Sequence, residues 1–320
     1  MKSSSKILIL VVTLLCAITL SNFYMNRINP EVQFWNDLSK EQTRWASEQI
    51  DRRFVFTGGS SCVFSINPEI IKKEYNLSVI NAASGAGLGR PFHLDSANRF
   101  LRKGDVLILN FETDYWSQDN SPLSTPPLGS ACWYSFLKDA QVSDPLSIEL
   151  AQRLGVEGSL YSKVDNRIGA EHFTLMGVKL LIGRKLYRYS KANIHPGAYC
   201  STDFKVKLSG SEDLLDKTIT ESRRNFLIQL KKLLHEKGIN MAVSIPWFYV
   251  DESCADEARS QYNTLKKEIE EICPVMPDPY LGSRTERKVF ADSSWHLSEE
   301  AAIQRSRLVG EFLTTLEFVE

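Results

Sequence analysis

The sequence predicts an α/β fold: a three-layer domain built on a mainly parallel sheet. Three observations carry this. Between residues 51 and 116 short buried strands alternate with helix-patterned stretches in the order β-α-β-α-β, with short connections. The same alternation resumes after residue 213 and runs to the C-terminus. The chain has 320 residues, of which 43% are hydrophobic and 24% charged, enough for one large domain or one domain carrying an insertion.

The N-terminus comes first. Lys2 and Lys6 precede the apolar run ILILVVTLLCAITL, residues 7–20. A bilayer span takes about 20 residues and a signal-peptide core about 7–15, so the run sits between the two. No small-x-small cleavage site follows it. An uncleaved signal anchor over residues 1–25 is therefore the first reading, ahead of a cleaved signal peptide and a buried helix. The positive-inside rule then places both lysines in the cytoplasm and the rest of the chain outside. Residues 26–50 are polar and helix-prone and read as a stalk or first helix, before a domain spanning 51–320.

In RFVFTGGSS, Phe54–Thr57 reads as a buried strand broken by Gly58 and Gly59. Asn67–Tyr75 follows as a helix, with Pro68 at an early helical position. LSVINAASGAG is a second strand ending in a Gly-rich loop, Phe92–Leu101 a helix, and DVLILNFETDYW a third strand. Residues 117–210 break the rhythm. A Ser- and Pro-rich loop, the helical patterns LSIELAQRL and FTLMGVKLLIGRKLYRY, and the loop IHPGAYCSTD suggest a helical insertion, a lid or cap over the sheet edge. Asp213–Lys237 is then a helix with Phe226, Leu227, Leu230, Leu233 and Leu234 on one face and Gly238 as its stop. INMAVSIPW is a fourth strand and Ser253–Ile272 a helix. A last helix runs to about Leu316, with Ser298 as N-cap and Glu299 and Glu300 in its positive first turn.

Charge and cysteines exclude some classes. With 38 basic and 39 acidic residues the net charge is -1, and there is no basic stripe for nucleic acid. No cysteine spacing resembles a zinc site. Five cysteines follow the apolar run. A helix between Cys254 and Cys273 would hold them too far apart for a bridge, leaving Cys132–Cys200 as the more plausible disulfide.

Ligand sites of open parallel sheets lie at the carboxyl ends of the strands. Four loops there carry chemistry: Gly58–Cys62, Ala83–Gly89, Asn110–Trp116 and Asp292–His296. Ser60 and Ser61 follow a strand at a Gly turn, where a hydroxyl can be activated by a nearby base or simply cap the next helix. His296 lies four residues after Asp292, so a carboxylate could fix its tautomer and leave the other nitrogen as base. Trp295 beside it either lines a groove or belongs to the core. Free amides around Gly85 could hold an oxyanion. A dinucleotide loop is disfavoured, because Arg90 stands where the third glycine of G-x-G-x-x-G belongs. No cofactor and no metal are expected.

These segments resemble a family. TGGSSCVFSINPEII is similar to the first block of the SGNH (GDSL-like) hydrolases, in a variant with GSS in place of GDS that is common in proteins of surface-polysaccharide modification. The resemblance maps the nucleophile onto Ser61 and implies a flavodoxin-like fold. INAASGAG resembles the second block and maps its oxyanion glycine onto Gly85. FADSSWHLSEEAA resembles the last block and maps its acid and base onto Asp292 and His296; many members carry the acid where this chain has Ser293. The third block has no clear counterpart for its asparagine. LNFETDYW offers Asn110, Glu112 and Asp114 as oxyanion or substrate-binding residues.

The resemblance implies a serine esterase or O-acyltransferase acting on acyl groups, acetyl first, of a cell-surface polysaccharide. The partners would be a glycan or acyl donor, a multispanning membrane acyltransferase, and the membrane through the N-terminal helix. A non-catalytic glycan-binding or scaffold module of an export system is the alternative. Trp116, Trp133 and Tyr134 are further candidates for binding sugar.

Overall fold

The computed structural model describes residues 3–23, 30–117, 145–155, 189–202, 208 and 218–316. It is an α/β fold around a four-stranded parallel sheet. The strands are β1 (Arg53–Gly58), β2 (Ser78–Asn81), β3 (Val106–Asn110) and β4 (Asn240–Val243), in the order β2-β1-β3-β4. A two-stranded pair, β5 (Phe248–Tyr249) with β6 (Ser283–Arg284), lies beyond it.

The strands are buried along almost their whole length because both faces of the sheet are covered. Alternate residues serve opposite layers. Val55, Ile80, Leu107, Leu109, Met241 and Val243 pack under helices α5 (Gly89–Asn98), α7 (Pro145–Arg153), α8 (Glu221–Glu236) and α9 (Ala255–Glu270). Phe54, Phe56, Val79, Val106, Ile108 and Ala242 pack under α2 (Pro30–Ser47), α4 (Pro68–Tyr75) and α10 (Glu299–Thr315). Two one-turn helices, α3 (Ser60–Val63) and α6 (Asp114–Ser117), leave the ends of β1 and β3.

Several expectations change. Helix α1 forms over Ser3–Phe23, but among the described residues no helix is long and apolar enough to cross a membrane, so the spanning anchor is not supported. The uninterrupted apolar run, residues 7–20, extends about 21 Å at helical rise, against a hydrocarbon core of about 30 Å. Residues 30–47 are no stalk. Phe34, Trp35 and Leu38 of α2 are buried. The Trp45 indole donates to Val79 O at 2.8 Å and Gln42 Nε2 to Ala83 O at 2.7 Å, which fastens α2 to the β2 edge.

The helix expected from Asp213 begins at Glu221, where the Thr220 side chain caps Arg223 N; 213–217 lie outside the described residues. Ser298 occupies the N-cap of α10 but makes no side-chain cap bond. Of the insertion, α7 and the stretch 189–202 are described, while Cys132, Trp133, Tyr134 and all but the last residue, Tyr189, of the second expected helix lie outside the described residues. The Cys200 thiol is free and buried, as is that of Cys273, and Cys254 is also free.

Candidate active site

The loops after β1, β2 and β3 meet the Asp292–His296 loop at the carboxyl end of the sheet. Tight packing begins the site. Gly58 stands opposite Asn110 in the β1–β3 register, and a Cβ there would lie 1.9 Å from the Asn110 carbonyl oxygen. A Cβ on Gly59 would lie 2.3 Å and 2.6 Å from the two carboxyl oxygens of Glu112. Only glycines let β1 end this close to β3. The chain then turns immediately into α3, with Cys62 N donating to Gly59 O and Phe64 N to Ser60 O.

The histidine loop is braced by its own backbone. Phe290 and Leu297 form an antiparallel bridge, and Ala291 N donates to His296 O at 2.8 Å. The Ser293 hydroxyl accepts from the amides of Trp295 (3.2 Å) and His296 (3.0 Å). Tyr249 N reaches across to Ser294 O at 2.9 Å. Ser293 thus shapes the turn, and Asp292 is the residue that reaches the imidazole. His296 Nδ1 and Asp292 Oδ1 are 2.9 Å apart, and His296 Nε2 and Ser60 Oγ are also 2.9 Å apart. A proton held on Nδ1 by Asp292 leaves Nε2 to accept from the Ser60 hydroxyl. The ring stacks on Phe64, with centroids 4.2 Å apart and planes at 22°.

The resemblance mapped the nucleophile onto Ser61; the structure pairs Ser60 with His296 instead. Ser61 is fully buried, its hydroxyl donating to Glu112 Oε1 at 2.7 Å. The reason is local: Ser60 heads α3 on the side of the histidine loop, and the next residue of a helix points about 100° away. Ser84 N donates to Gly58 O at 3.2 Å, so Gly85 lies on the loop flanking the Ser60 turn. Asn110 is buried and its Nδ2 donates to Ser244 Oγ at 3.2 Å. Asp114 opens α6 beyond Glu112. Trp295 is half-buried against Phe248, with ring centroids 5.2 Å apart. Trp116 is a core residue packed on Phe111.

Sequence reasoning missed Tyr189. Its hydroxyl donates a short hydrogen bond to Asp292 Oδ2 and lies 3.2 Å from His296 Nδ1, while its ring packs on Phe34 and Phe64. Nothing in its local sequence marks it, because it reaches the site from 103 positions away.

Burial raises the Asp292 carboxyl, but the hydrogen bond and charge of His296 and the hydrogen bond from Tyr189 outweigh it and hold Asp292 below its ordinary range. Glu112 goes the other way. Burial raises it, and the hydrogen bonds from Ser61 and the charge of His296 only partly compensate. His93, buried beneath Ser84, is pulled down to about 3 by desolvation and stays neutral; its Nδ1 is 3.3 Å from Ser84 Oγ. A cavity of about 700 Å³, lined by Arg53, Lys103, Asp105 and His235, opens at the amino ends of the strands, the end away from Ser60. Among the described residues no group of acidic, His and Cys side chains could hold a metal ion.

Comparisons with protein-family models and with curated proteins find no match to the chain.

Proposed function

We propose that this protein is a serine acyl-transfer enzyme of the SGNH type, an esterase or O-acyltransferase acting on acyl groups of a cell-surface polysaccharide. One observation carries the reading: the unbroken chain of hydrogen bonds from Ser60 through His296 to Asp292. The strand order β2-β1-β3-β4 agrees with a flavodoxin-like arrangement, and Ser60 and Glu112 flank the β1/β3 switch point where such sheets bind ligands.

His296 Nε2 takes the Ser60 proton as Oγ attacks the acyl carbonyl carbon. The carbonyl π electrons move onto oxygen, and free backbone amides near Ser60 and Gly85 would take up the developing charge. Asp292, kept ionised, stabilises the imidazolium. His296 then protonates the departing alcohol oxygen as the C–O bond breaks, leaving acyl-Ser60. Water or a sugar hydroxyl repeats the sequence in reverse, giving a carboxylic acid or a new ester and restoring Ser60. The acyl group (acetyl is the smallest candidate), a membrane acyltransferase as acyl source, and an extracytoplasmic location belong to the same proposal. The location rests on the order of Lys2 and Lys6 before the apolar run of residues 7–20, a pattern shared by secretory signal segments.

A fluorophosphonate probe followed by peptide mapping tests it. Wild type is expected to be labelled on Ser60 and to hydrolyse an aryl acetate. Ser60→Ala should abolish both, and Ser61→Ala should keep the label. An unlabelled, inert wild-type protein would leave a glycan-binding module as the surviving reading.

A further inference from the structure

Glu112 is a buried carboxyl with no cationic partner in the ion pairs of the described residues. Its Oε1 accepts twice, from Ser61 Oγ at 2.7 Å and from Ser61 N at 3.4 Å. Its Oε2 is buried and has no hydrogen-bond partner. Both oxygens lie against Gly59, the residue preceding Ser60. Burial favours the protonated acid and raises the carboxyl above its ordinary range, although the hydrogen bonds of Ser61 and of its own amide and the charge of His296 pull the other way. With Oε1 serving as the acceptor, the proton sits on Oε2, a buried donor that lacks an acceptor beside the nucleophile's turn. Leaving such a donor unmatched is costly, and a ligand oxygen arriving at Ser60 would satisfy it.

We propose that Glu112 acts as a neutral carboxylic acid whose Oε2 hydroxyl donates a hydrogen bond to the substrate's carbonyl oxygen as negative charge develops on it. The proton stays on Glu112 throughout; only the hydrogen bond strengthens as the tetrahedral species forms. This rests on the acyl-transfer reading above and adds a side-chain donor to the backbone amides. An ionised Glu112 would repel the oxyanion, so the donor works only below the pH at which Glu112 loses its proton. The titratable and charged groups around it are Cys62 on α3, Tyr115 on α6 and His296 on the opposite loop, with Asp114 and Arg90 also acting on Tyr115 and Arg305 of α10 on Cys62.

The test uses the whole protein, an aryl acetate and its thiono analogue, in which sulfur replaces the carbonyl oxygen and accepts hydrogen bonds poorly. Glu112→Leu should lower kcat/KM for the acetate about 100-fold, the usual effect of removing one such donor. It should lower the thiono rate far less, so that the oxo/thiono ratio drops at least about tenfold. Glu112→Gln keeps an acceptor and a donor; it should stay within about fivefold of wild type and hold its rate at alkaline pH, where wild type declines. An unchanged oxo/thiono ratio in Glu112→Leu overturns the proposal. Should that variant not fold, identical alkaline limbs in wild type and Glu112→Gln overturn it equally. Failure of the underlying reading would look different: wild type would neither turn over nor label at Ser60.

Discussion

At the scale of single residues, the site depends on neighbours that hold groups within a few tenths of an ångström. Asp292 bonds one imidazole nitrogen and Ser60 the other, so Asp292→Asn should disfavour the productive tautomer and lower kcat about 10³–10⁴-fold with little change in KM. Steady-state kinetics on an aryl acetate check this. Tyr189 touches Asp292 and His296 Nδ1 but neither His296 Nε2 nor Ser60; it is a positioning residue for that pair. Removing its hydroxyl deletes a bond to a charged group worth about 1.5 kcal/mol, so Tyr189→Phe should lower kcat roughly tenfold. It should also shift the acidic limb of the pH–rate profile, because Asp292 loses one of the bonds that hold it down. A purely structural tyrosine would leave that limb in place. Gly59→Ala puts a methyl 2.3 Å from Glu112 Oε1, and either the Glu112 carboxyl or the turn must shift. A displacement of about 1 Å at Ser60 should reduce kcat about 100-fold.

At the scale of elements, α2 decides where the folded unit begins. It closes the β2 edge through Trp45 and Gln42 and buries Phe34, Trp35 and Leu38 against the layer that also holds Cys62, Phe64 and α10. A chain beginning at residue 51 should therefore lose cooperative unfolding, whereas one beginning at residue 26 should keep it. Denaturant titration followed by tryptophan fluorescence distinguishes the two. Trp45→Ala should destabilise by about 3–5 kcal/mol, the usual loss for truncating a buried large aromatic.

At the scale of the whole molecule, two carboxyls set opposite pH trends. Asp292 is lowered in the fold, so its contribution to stability is present above its ordinary value and disappears as pH falls through the depressed one. Glu112 is raised, so the folded state holds its proton more tightly than the unfolded chain. Its contribution is complete below the ordinary value of 4.5 and is lost as pH rises toward the folded value. Melting temperatures measured from pH 4 to 9 should fall on the alkaline side in wild type and fall less in Glu112→Gln.

Much of this molecule is legible along the chain, because it depends on contacts between near neighbours. The alternation of buried strands and amphipathic helices sets a three-layer α/β fold. Asp292 and His296 meet across four positions of one loop, close enough for spacing alone to suggest the pair. Other features required the fold. Ser60 and Ser61 are adjacent and chemically identical, and which of them faces His296 depends on a turn forced by Gly58 and Gly59 against β3. Glu112 reaches Ser61 across 51 positions, and Tyr189 reaches His296 across 107. Residues 30–47 look polar in sequence, yet their apolar stripe finds its partner only once β2 is at the sheet edge. Composition and periodicity report which face of an element is apolar; the direction of one hydroxyl is set by backbone packing between segments far apart in the chain.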